Sequence, residues 1–226
     1  MSKTHSILLL DDYKMFRVAM REFPVNGDMN WIIPNKILAL AGPTESLFPL
    51  EDFIDYAKAT GITQVIRLNR SAYAASPLRE SGIAHRNLFM MDGHIPSPKQ
   101  IFEFCKIADR VLFQEGGRLA VHCMAGLGRT GTMIAIYLIY KYRVEAVHVI
   151  AYLRMMRPGS ILAIQTGFLQ NIQYLLRREP IPEESHRKLI EYYPNEFRAL
   201  ERFMEQIEDL IPRSTNASAD CTIEIK

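Results

Sequence analysis

The sequence predicts an α/β fold in which helices flank a central, mainly parallel twisted sheet. Short apolar or alternating segments of strand length recur along the chain, and longer segments with an apolar face of helical period lie between them. Gly and Pro residues mark the boundaries between the two kinds of segment. Because strands that alternate with helices usually form parallel pairs joined by helical crossovers, this order favours the α/β class.

The first half of the chain contains predicted strands on both sides of a helix. Residues 36–41 are apolar and end at a Gly-Pro pair, which predicts a strand. A helix is predicted from Pro49, whose ring suits the first turn, to Gly61. Residues 62–68 alternate and are rich in β-branched side chains, so they are predicted as the next strand, and residues 88–91 as another.

The second half of the chain is mainly helical around one more strand. Ser97 is a predicted N-cap, and Pro98 is the first residue of a helix that ends near Gly116. Residues 119–122 form a short predicted strand. Three further helices are predicted, of which the first is apolar almost all round and therefore expected at the centre of the fold: residues 129–142, 144–156 and 166–177.

Composition excludes several classes of protein. The 226 residues are 48% hydrophobic and 23% charged, ordinary values that exclude a chain disordered throughout. The formal net charge of +2 gives no support for nucleic-acid binding, which demands a clear cationic excess. No segment reaches the roughly 18 apolar residues of a membrane span, so no membrane partner is expected. The sequence does not indicate the oligomeric state, and a monomer is compatible with it.

The three cysteines predict a reducing compartment. Their number is odd and no CxxC pair occurs, which argues against a disulfide framework and against a structural zinc site. Cys105 lies on the apolar face of a predicted helix and is expected in the core, whereas Cys221 lies in a polar C-terminal segment. At least one thiol stays free in a monomer, so we expect a cytoplasmic or nuclear protein without a bound metal.

The third cysteine, Cys123, ends a predicted strand and begins a loop that is suited to bind phosphate. Five residues separate it from Arg129, where a helix begins. A tight loop at a helix N-terminus directs several backbone N–H groups into one hollow, and the helix dipole adds to their attraction for an anion. The same groups stabilise a thiolate, so Cys123 is expected to be nucleophilic at neutral pH. The predicted phosphate-binding residues are Cys123, Met124, Ala125, Gly126, Leu127, Gly128 and Arg129.

Two side chains at the start of this helix have predicted chemical roles. The planar fork of Arg129 can bind two phosphate oxygens and stabilise charge in the transition state. The hydroxyl of Thr130 can donate a hydrogen bond to the sulfur of Cys123 and help it to leave in a second step.

Two other interpretations of the same loop remain open on residues alone. Cys123 could be a buried structural thiol in an ordinary strand-to-helix turn. Gly126, Gly128 and Gly131 also match the G-x-G-x-x-G pattern of dinucleotide-binding proteins. That pattern requires an acidic residue at the end of the next strand, and here a helix occupies the region.

Residues outside the loop supply the remaining candidate chemistry. Asp92 follows a predicted strand in a Gly- and Pro-containing loop and is the candidate general acid, although it could instead form a turn before Gly93. His94 could act in its place. Gln165, at the start of a helix, is the candidate for positioning a hydrolytic water, with Thr166 as a second possibility, and either residue could simply cap the helix. His122 is expected to point into the core and to orient the loop by a hydrogen bond.

The segment from His122 to Gly131, HCMAGLGRTG, resembles the signature loop of the cysteine-dependent protein tyrosine and dual-specificity phosphatases. The resemblance covers about residues 26–178. Further segments resemble the cell-division-cycle-fourteen type, which acts in mitotic exit: residues 26–34, 67–69, 91–93 with 96–97, and 157–161.

The resemblance implies the protein tyrosine phosphatase-like fold and a cysteinyl-phosphate mechanism. It gives Cys123 the role of nucleophile, Arg129 that of phosphate ligand, and Asp92 that of general acid and then base. Gln165 matches a glutamine of the family, whereas the usual second glutamine is Thr166 here. At the position after the cysteine, where the family has a lysine, this chain has Met124. This residue and Leu127 are not lysines, which argues against an inositol lipid substrate.

The resemblance also implies a division of the chain and a function. Family members usually carry a second phosphatase-like domain before the matched region, and the groove between the domains helps to select phosphoserine-proline. About 25 residues precede the match, so that preference is not implied here. The predicted division is a leader (1–25), a catalytic domain (26–180), a helical extension (181–213) and a flexible tail (214–226).

We expect a cofactor-independent phosphatase that acts on phosphotyrosine, phosphoserine or phosphothreonine in phosphorylated protein substrates. A phosphoprotein-binding pseudophosphatase and an RNA or nucleotide phosphatase are the alternatives.

Overall fold

A five-stranded mixed sheet forms the centre of the fold. The computed structural model describes residues 28–46, 48–195 and 197–202. The predicted leader 1–25, the predicted tail 214–226 and Cys221 lie outside the described residues. The strands are β1 (Met29–Ile33), β2 (Ile37–Leu40), β3 (Ile62–Arg67), β4 (Ala84–Asn87) and β5 (Arg118–His122).

The order of the strands across the sheet is β1-β2-β5-β3-β4. Strand β1 pairs with β2 in the antiparallel direction, and the other three pairs are parallel. Strand β5 lies in the middle, so its last residue, His122, is opposite Leu40 on one side and Arg67 on the other. The carboxyl ends of β2, β3 and β5 therefore meet at one edge of the sheet, which is where parallel α/β folds place their ligands.

Helices cover both faces of the sheet. They are α1 (Leu50–Ala59), α2 (Ser76–Glu80), α3 (Pro98–Asp109), α4 (Gly128–Tyr142), α5 (Ala146–Met156), α6 (Ala163–Arg177) and α7 (Glu183–Tyr192). Helix α3 continues into a π-helical turn over Arg110–Gln114. Residues 194–195 and 197–202 are also helical.

The alternation of side chains along the strands divides the core into two layers. In β2, Ile37 and Ala39 pack with α3, α4, α5 and α6, whereas Leu38 and Leu40 pack with α1 on the other face. Helix α4 buries eleven of its fifteen residues, as its apolar sequence predicts. The α/β class is confirmed.

Several predicted elements are confirmed by the structure. Strands β2, β3 and β5 lie within one or two residues of their predicted bounds, and α1 begins one residue after Pro49. Helix α3 begins at Pro98, with Ser97 and Gln100 forming a capping box. Cys105 is buried on α3 and packs in the core, as expected.

The prediction of a strand at residues 88–91 is wrong. The strand is β4, which ends at Asn87, and residues 88–91 are irregular. They still run beside β3, because the Leu88 and Met90 amides donate to the carbonyl groups of Arg67 and Leu68. The buried side chains of Leu88 and Met90 give this segment its apolar pattern, whereas β4 itself is largely exposed. Strand β1 and helix α2 were not predicted.

The predicted helical extension packs against the main core. Leu189 of α7 is buried, as are Phe197 and Leu200, and all three belong to the core layer that contains α4. Tyr193 is irregular after α7, and Pro194 begins the next helical residues. Residues 203–213 of the predicted extension lie outside the described part. No helix in the described residues is long and apolar enough to cross a membrane.

Candidate active site

Cys123 lies directly after the central strand β5, at the edge where the parallel strands end. Its side chain is almost completely buried, with 3% exposed. The chain then turns through four residues and begins α4 at Gly128. The strand, the loop and the helix thus have the order that the sequence predicts, and the helix N-terminus adjoins the loop.

The loop requires a glycine at one position. Gly126 has a positive φ of 68°, a conformation that residues with a Cβ rarely adopt. A Cβ at Gly126 would also overlap the Leu40 carbonyl at the end of β2. The backbone therefore bends tightly against the sheet here, and this bend gives the loop its curvature.

The carbonyl groups of the loop accept hydrogen bonds from residues outside the loop. The Met124 carbonyl accepts a hydrogen bond from the Gly42 amide at 2.8 Å, and the Leu127 carbonyl accepts one from the Gly131 amide at 2.9 Å. Arg157 donates to the carbonyls of Ala125 and Gly126 at 2.9 and 2.8 Å. Among the described residues, the amides of residues 124–127 have no backbone acceptor. The loop therefore keeps a set of N–H groups for an anion.

Arg157 lies in the segment 157–161 that carries part of the resemblance, but the sequence predicts no role for its side chain. Its side chain is 2% exposed, and its Nη1 donates to Asp28 at 2.9 Å and to Asn30 at 2.8 Å. A buried guanidinium is tolerated only when it is paired and hydrogen-bonded, and here every nitrogen has a partner. Arg157 thus ties the phosphate loop to the start of β1.

Arg129 and Asp92 meet beside the loop. Arg129 is buried on the first turn of α4, whereas the side chain of Asp92 is 82% exposed on the irregular segment after β4. Their Nη2 and Oδ1 atoms are 3.1 Å apart. Nη1 of Arg129 donates to the Met90 carbonyl at 3.2 Å, while its buried Nε has no partner among the described residues. An N–H group of Arg129 therefore remains for a phosphate oxygen.

Thr130 is completely buried next to Arg129. Its hydroxyl has no hydrogen-bond partner among the described residues, so the predicted bond to the sulfur of Cys123 is not formed in this structure. A buried hydroxyl without a partner costs about 1–3 kcal/mol, so its presence in a folded protein requires an explanation, of which a catalytic role is one.

Gln165 holds the loop that carries Asp92. It is completely buried in the first turn of α6, where its Oε1 accepts from the Leu162 amide at 3.0 Å. Its Nε2 donates to the carbonyl of His94 at 3.1 Å. Gln165 therefore caps α6, and it also joins that helix to the Asp92 loop. Thr166 bonds back to the Leu162 carbonyl at 3.1 Å, as a residue in a first turn often does.

His122 orients the residue that follows it. It is completely buried, and its Nδ1 lies 3.0 Å from the Cys123 carbonyl. Because a carbonyl only accepts, Nδ1 carries the proton, and Nε2 accepts from the Tyr73 hydroxyl at 2.6 Å. Burial lowers the pKa of His122 to about 4, so the ring is neutral at pH 7. His94, the other candidate acid, is exposed and lies two residues after Asp92.

The described residues contain no group of three or more His, Cys, Asp or Glu side chains that could hold a metal ion. The site instead consists of a buried thiol, a set of backbone amides, one arginine and one exposed carboxylate. These are the groups required to bind a phosphate monoester and to transfer its phosphoryl group through sulfur.

Comparisons with known sequences identify similar proteins over this region. The family model described as "Polymorphic toxin system, DSP-PTPase phosphatase" matches residues 42–143. Dual specificity protein phosphatase CDC14A of Homo sapiens is 42% identical over 156 residues, which are 66% of this chain and 26% of that protein. CDC14B of Mus musculus is 42% identical over 168 residues, 71% of this chain and 33% of that protein. The chain therefore spans about a quarter to a third of the length of these curated relatives.

A comparison with solved structures gives the same fold. The crystal structure of Tk-PTP in the active form superposes with a TM-score of 0.54 at 23% identity, covering 62% of this chain and 92% of that one. At this identity the likeness shows the fold alone. The predicted tyrosine phosphatase-like arrangement of a central sheet and flanking helices is thereby confirmed.

Proposed function

The chain belongs to the cysteine-dependent protein tyrosine and dual-specificity phosphatases, and from this premise we propose that it removes phosphate from phosphotyrosine, phosphoserine or phosphothreonine in proteins. The observation that carries the proposal is the loop that begins at Cys123 after β5. Its carbonyl groups accept hydrogen bonds from residues outside the loop, while the amides of residues 124–127 have no backbone acceptor among the described residues. Arg129 and Asp92 meet beside the same loop.

In the first step the thiolate of Cys123 attacks phosphorus. A sulfur–phosphorus bond forms as the bond from phosphorus to the ester oxygen breaks. The loop amides and Arg129 hold the non-bridging oxygens and stabilise the charge that spreads over them in the transition state. Asp92 donates its proton to the departing oxygen, so the dephosphorylated side chain leaves as a neutral alcohol or phenol.

In the second step a water molecule attacks the cysteinyl-phosphate. The carboxylate of Asp92 takes the proton from this water, the sulfur–phosphorus bond breaks, and inorganic phosphate leaves. The hydroxyl of Thr130, which has no partner in the described structure, supplies the hydrogen bond that stabilises the departing thiolate. Gln165 has one remaining lone pair and one remaining N–H with which to orient the water.

The rim of the site suits the apolar part of a phosphorylated side chain. Met91, directly before Asp92, is 60% exposed, and Met124, directly after Cys123, is 58% exposed. Exposed methionines adapt to apolar groups of different shape, including aromatic rings. This property favours a site that accepts both the ring of phosphotyrosine and the shorter phosphoserine or phosphothreonine. Phosphorylated proteins of the cytoplasm or nucleus, including those of the cell cycle, are the proposed substrates.

A pseudophosphatase and an RNA or nucleotide phosphatase are not favoured. The nucleophile, the arginine and the carboxylate are all present, and the matched relatives are named as protein phosphatases. A binding module would need none of the proton-transfer chemistry that Asp92 offers.

Hydrolysis of p-nitrophenyl phosphate in the presence of EDTA tests the proposed function. The wild-type chain should turn over, and Cys123→Ser should reduce kcat by at least about a thousand-fold, because the hydroxyl is a far weaker nucleophile. Asp92→Asn should lower kcat by about a hundred-fold or more for an alkyl phosphate, which needs a general acid. Equal rates for wild type and Cys123→Ser would disprove the mechanism. A folded wild type without turnover would leave the binding module as the function.

A further inference from the structure

A groove lies between the edge strand β4 and helix α3. Its volume is 680 Å³, and none of the residues assigned to the proposed chemistry lines it. Strand β4 forms one wall and the outward face of α3 with its π-helical turn forms the other. Four cationic side chains line the groove: Arg86, Lys99, Lys106 and Arg110.

The groove has an excess of positive charge, because two of these four cationic side chains have an acidic partner and two do not. Glu103 is the carboxylate that lines it, and this residue pairs with Arg86. Arg110 lies 3.4 Å from Glu115 at the far end. Lys99 and Lys106 are exposed and have no acidic partner within the part of the chain that the structure describes.

The charge of the groove does not depend on its histidine. His85, the second residue of β4, lines the groove, and burial together with nearby Arg67 and Arg79 lowers its pKa to about 4. His85 is therefore neutral at pH 7. Lysine and arginine side chains supply the positive charge, which is constant between about pH 6 and 8.

The edge of the sheet gives the groove a second property. Strand β4 is last in the strand order and pairs with β3 alone among the described strands. Its outer edge therefore presents backbone groups that can pair with an extended polypeptide. Phe102 and Ile107 of α3 also line the groove. Their apolar surface can contact every second side chain of an extended polypeptide, since these side chains point to the same side.

The groove begins near the phosphate site and leads away from it. Lys99 lies in the first turn of α3, seven residues after Asp92, and Gln100 donates to the Phe89 carbonyl on the segment that leads to Asp92. From there α3 extends for twelve residues, or about 18 Å, towards Arg110. A segment in the groove and a phosphorylated residue in the site can therefore belong to one bound protein.

We propose that this groove docks an acidic, extended segment of the phosphoprotein substrate, separate from the phosphorylated residue. The proposal rests on the proposed phosphatase function. Polypeptide is favoured over nucleic acid because the groove combines an open strand edge and apolar side chains with its charge. The chain as a whole also carries a net charge of only +2, without the excess that a phosphate backbone attracts.

Direct binding tests the docking site independently of catalysis. The probe is a fluorescein-labelled peptide of alternating Glu and Val, titrated by anisotropy with the full chain carrying Cys123→Ser. Lys99→Glu/Lys106→Glu in this background should weaken binding by at least about ten-fold, because two attractive pairs become repulsive. A Gln–Val peptide should bind weakly to both proteins, and binding of the Glu–Val peptide should fall as salt is added.

The matched control is Lys58→Glu/Lys188→Glu. It makes the same change of net charge at exposed positions on α1 and α7, away from the groove, and should bind the Glu–Val peptide as the parent does. Equal loss in the two double variants would overturn the proposal, since only overall charge would then matter. Tighter binding of an oligothymidylate than of the Glu–Val peptide, lost in the groove variant, would overturn the choice of polypeptide. Lys99→Gln/Lys106→Gln gives a milder test if thermal unfolding shows that the Glu variant is destabilised.

Catalysis then links docking to turnover. A phosphopeptide with a Glu–Val extension should have a higher kcat/KM than one with a Gln–Val extension, and Lys99→Glu/Lys106→Glu should remove the difference. The same variant should hydrolyse p-nitrophenyl phosphate at the wild-type rate. Absence of any p-nitrophenyl phosphate hydrolysis would refute the phosphatase function but leave the binding test decisive for docking. Unchanged preference for the Glu–Val substrate in the groove variant would refute docking alone.

Discussion

At the scale of single residues, His122 shows how burial controls the geometry next to the nucleophile. The ring must be neutral to accept from Tyr73 at Nε2 while donating from Nδ1 to the Cys123 carbonyl. Burial enforces this state, since it lowers the pKa of His122 to about 4 and raises that of Tyr73. The Cys123 carbonyl, directly after the strand, is thereby held by the ring of His122.

The same burial makes stability depend on pH. An unfolded histidine binds a proton below about pH 6.5, whereas folded His122 does so only near pH 4. Between these values the unfolded state holds more protons, so its free energy falls on acidification and the folded state loses relative stability. We expect His122→Asn, whose amide can still donate to the Cys123 carbonyl, to show a shallower loss of unfolding free energy from pH 6.5 to 4.5. Urea unfolding across this range measures the effect, and parallel curves for the two proteins would contradict it.

At the scale of elements, the phosphate loop is shaped by its neighbours more than by its own sequence. Gly42 after β2, Gly131 in α4 and Arg157 after α5 each supply a donor to a loop carbonyl. Arg157 alone contacts two loop carbonyls and two side chains at the start of β1. The free amides of the loop are thus a consequence of how three separate elements pack.

Arg157→Lys tests this dependence on packing. A lysine keeps the charge but cannot span the two loop carbonyls and the two side chains with one planar fork. We expect kcat/KM for p-nitrophenyl phosphate to fall by about ten-fold or more, because misplaced amides stabilise the transition state less well. Affinity for orthovanadate, a phosphate analogue expected to bind the same loop amides, should fall in parallel. Arg187→Lys, at an exposed position of α7, is the control and should change neither value appreciably. Unchanged vanadate affinity of Arg157→Lys would show that the loop keeps its shape without the hydrogen bonds of the Arg157 guanidinium.

The elements also show which features a sequence can predict. Strands β2, β3 and β5 and helix α3 were located because their signals are local: buried alternation, a proline at the first helical position and a cap. Strand β4 was misplaced because its edge position leaves it exposed, while the irregular segment after it buries Leu88 and Met90. Cys123 and Arg129 are close in sequence and could be paired from their spacing. The contacts of Arg157 with Gly126 and Asp28 join residues 31 and 129 positions apart, and no local pattern encodes them.

At the scale of the whole molecule, the segment after residue 180 forms part of the main core. Leu189, Phe197 and Leu200 are buried in the layer that contains α4, and the rings of Phe168 and Tyr193 meet edge to face at 5.3 Å. A division of the chain at residue 180 therefore separates residues that pack together. The helix that follows the phosphate loop, α4, lies in this same layer, so the extension and the site share one hydrophobic core.

This shared core predicts that α7 contributes to the cooperative stability of the whole described fold. Leu189→Ala should lower the free energy of unfolding by about 2–4 kcal/mol, because it removes a completely buried side chain and leaves a cavity. The matched control is Ile190→Ala on the same helix. Its side chain is 48% exposed, so it should change stability much less, by no more than about 1 kcal/mol. Urea unfolding followed by far-ultraviolet circular dichroism and by loss of phosphatase activity should give one shared midpoint, which moves with Leu189→Ala. Separate midpoints, or equal effects of the two substitutions, would show instead that the segment after residue 180 unfolds independently of the layer that supports Cys123.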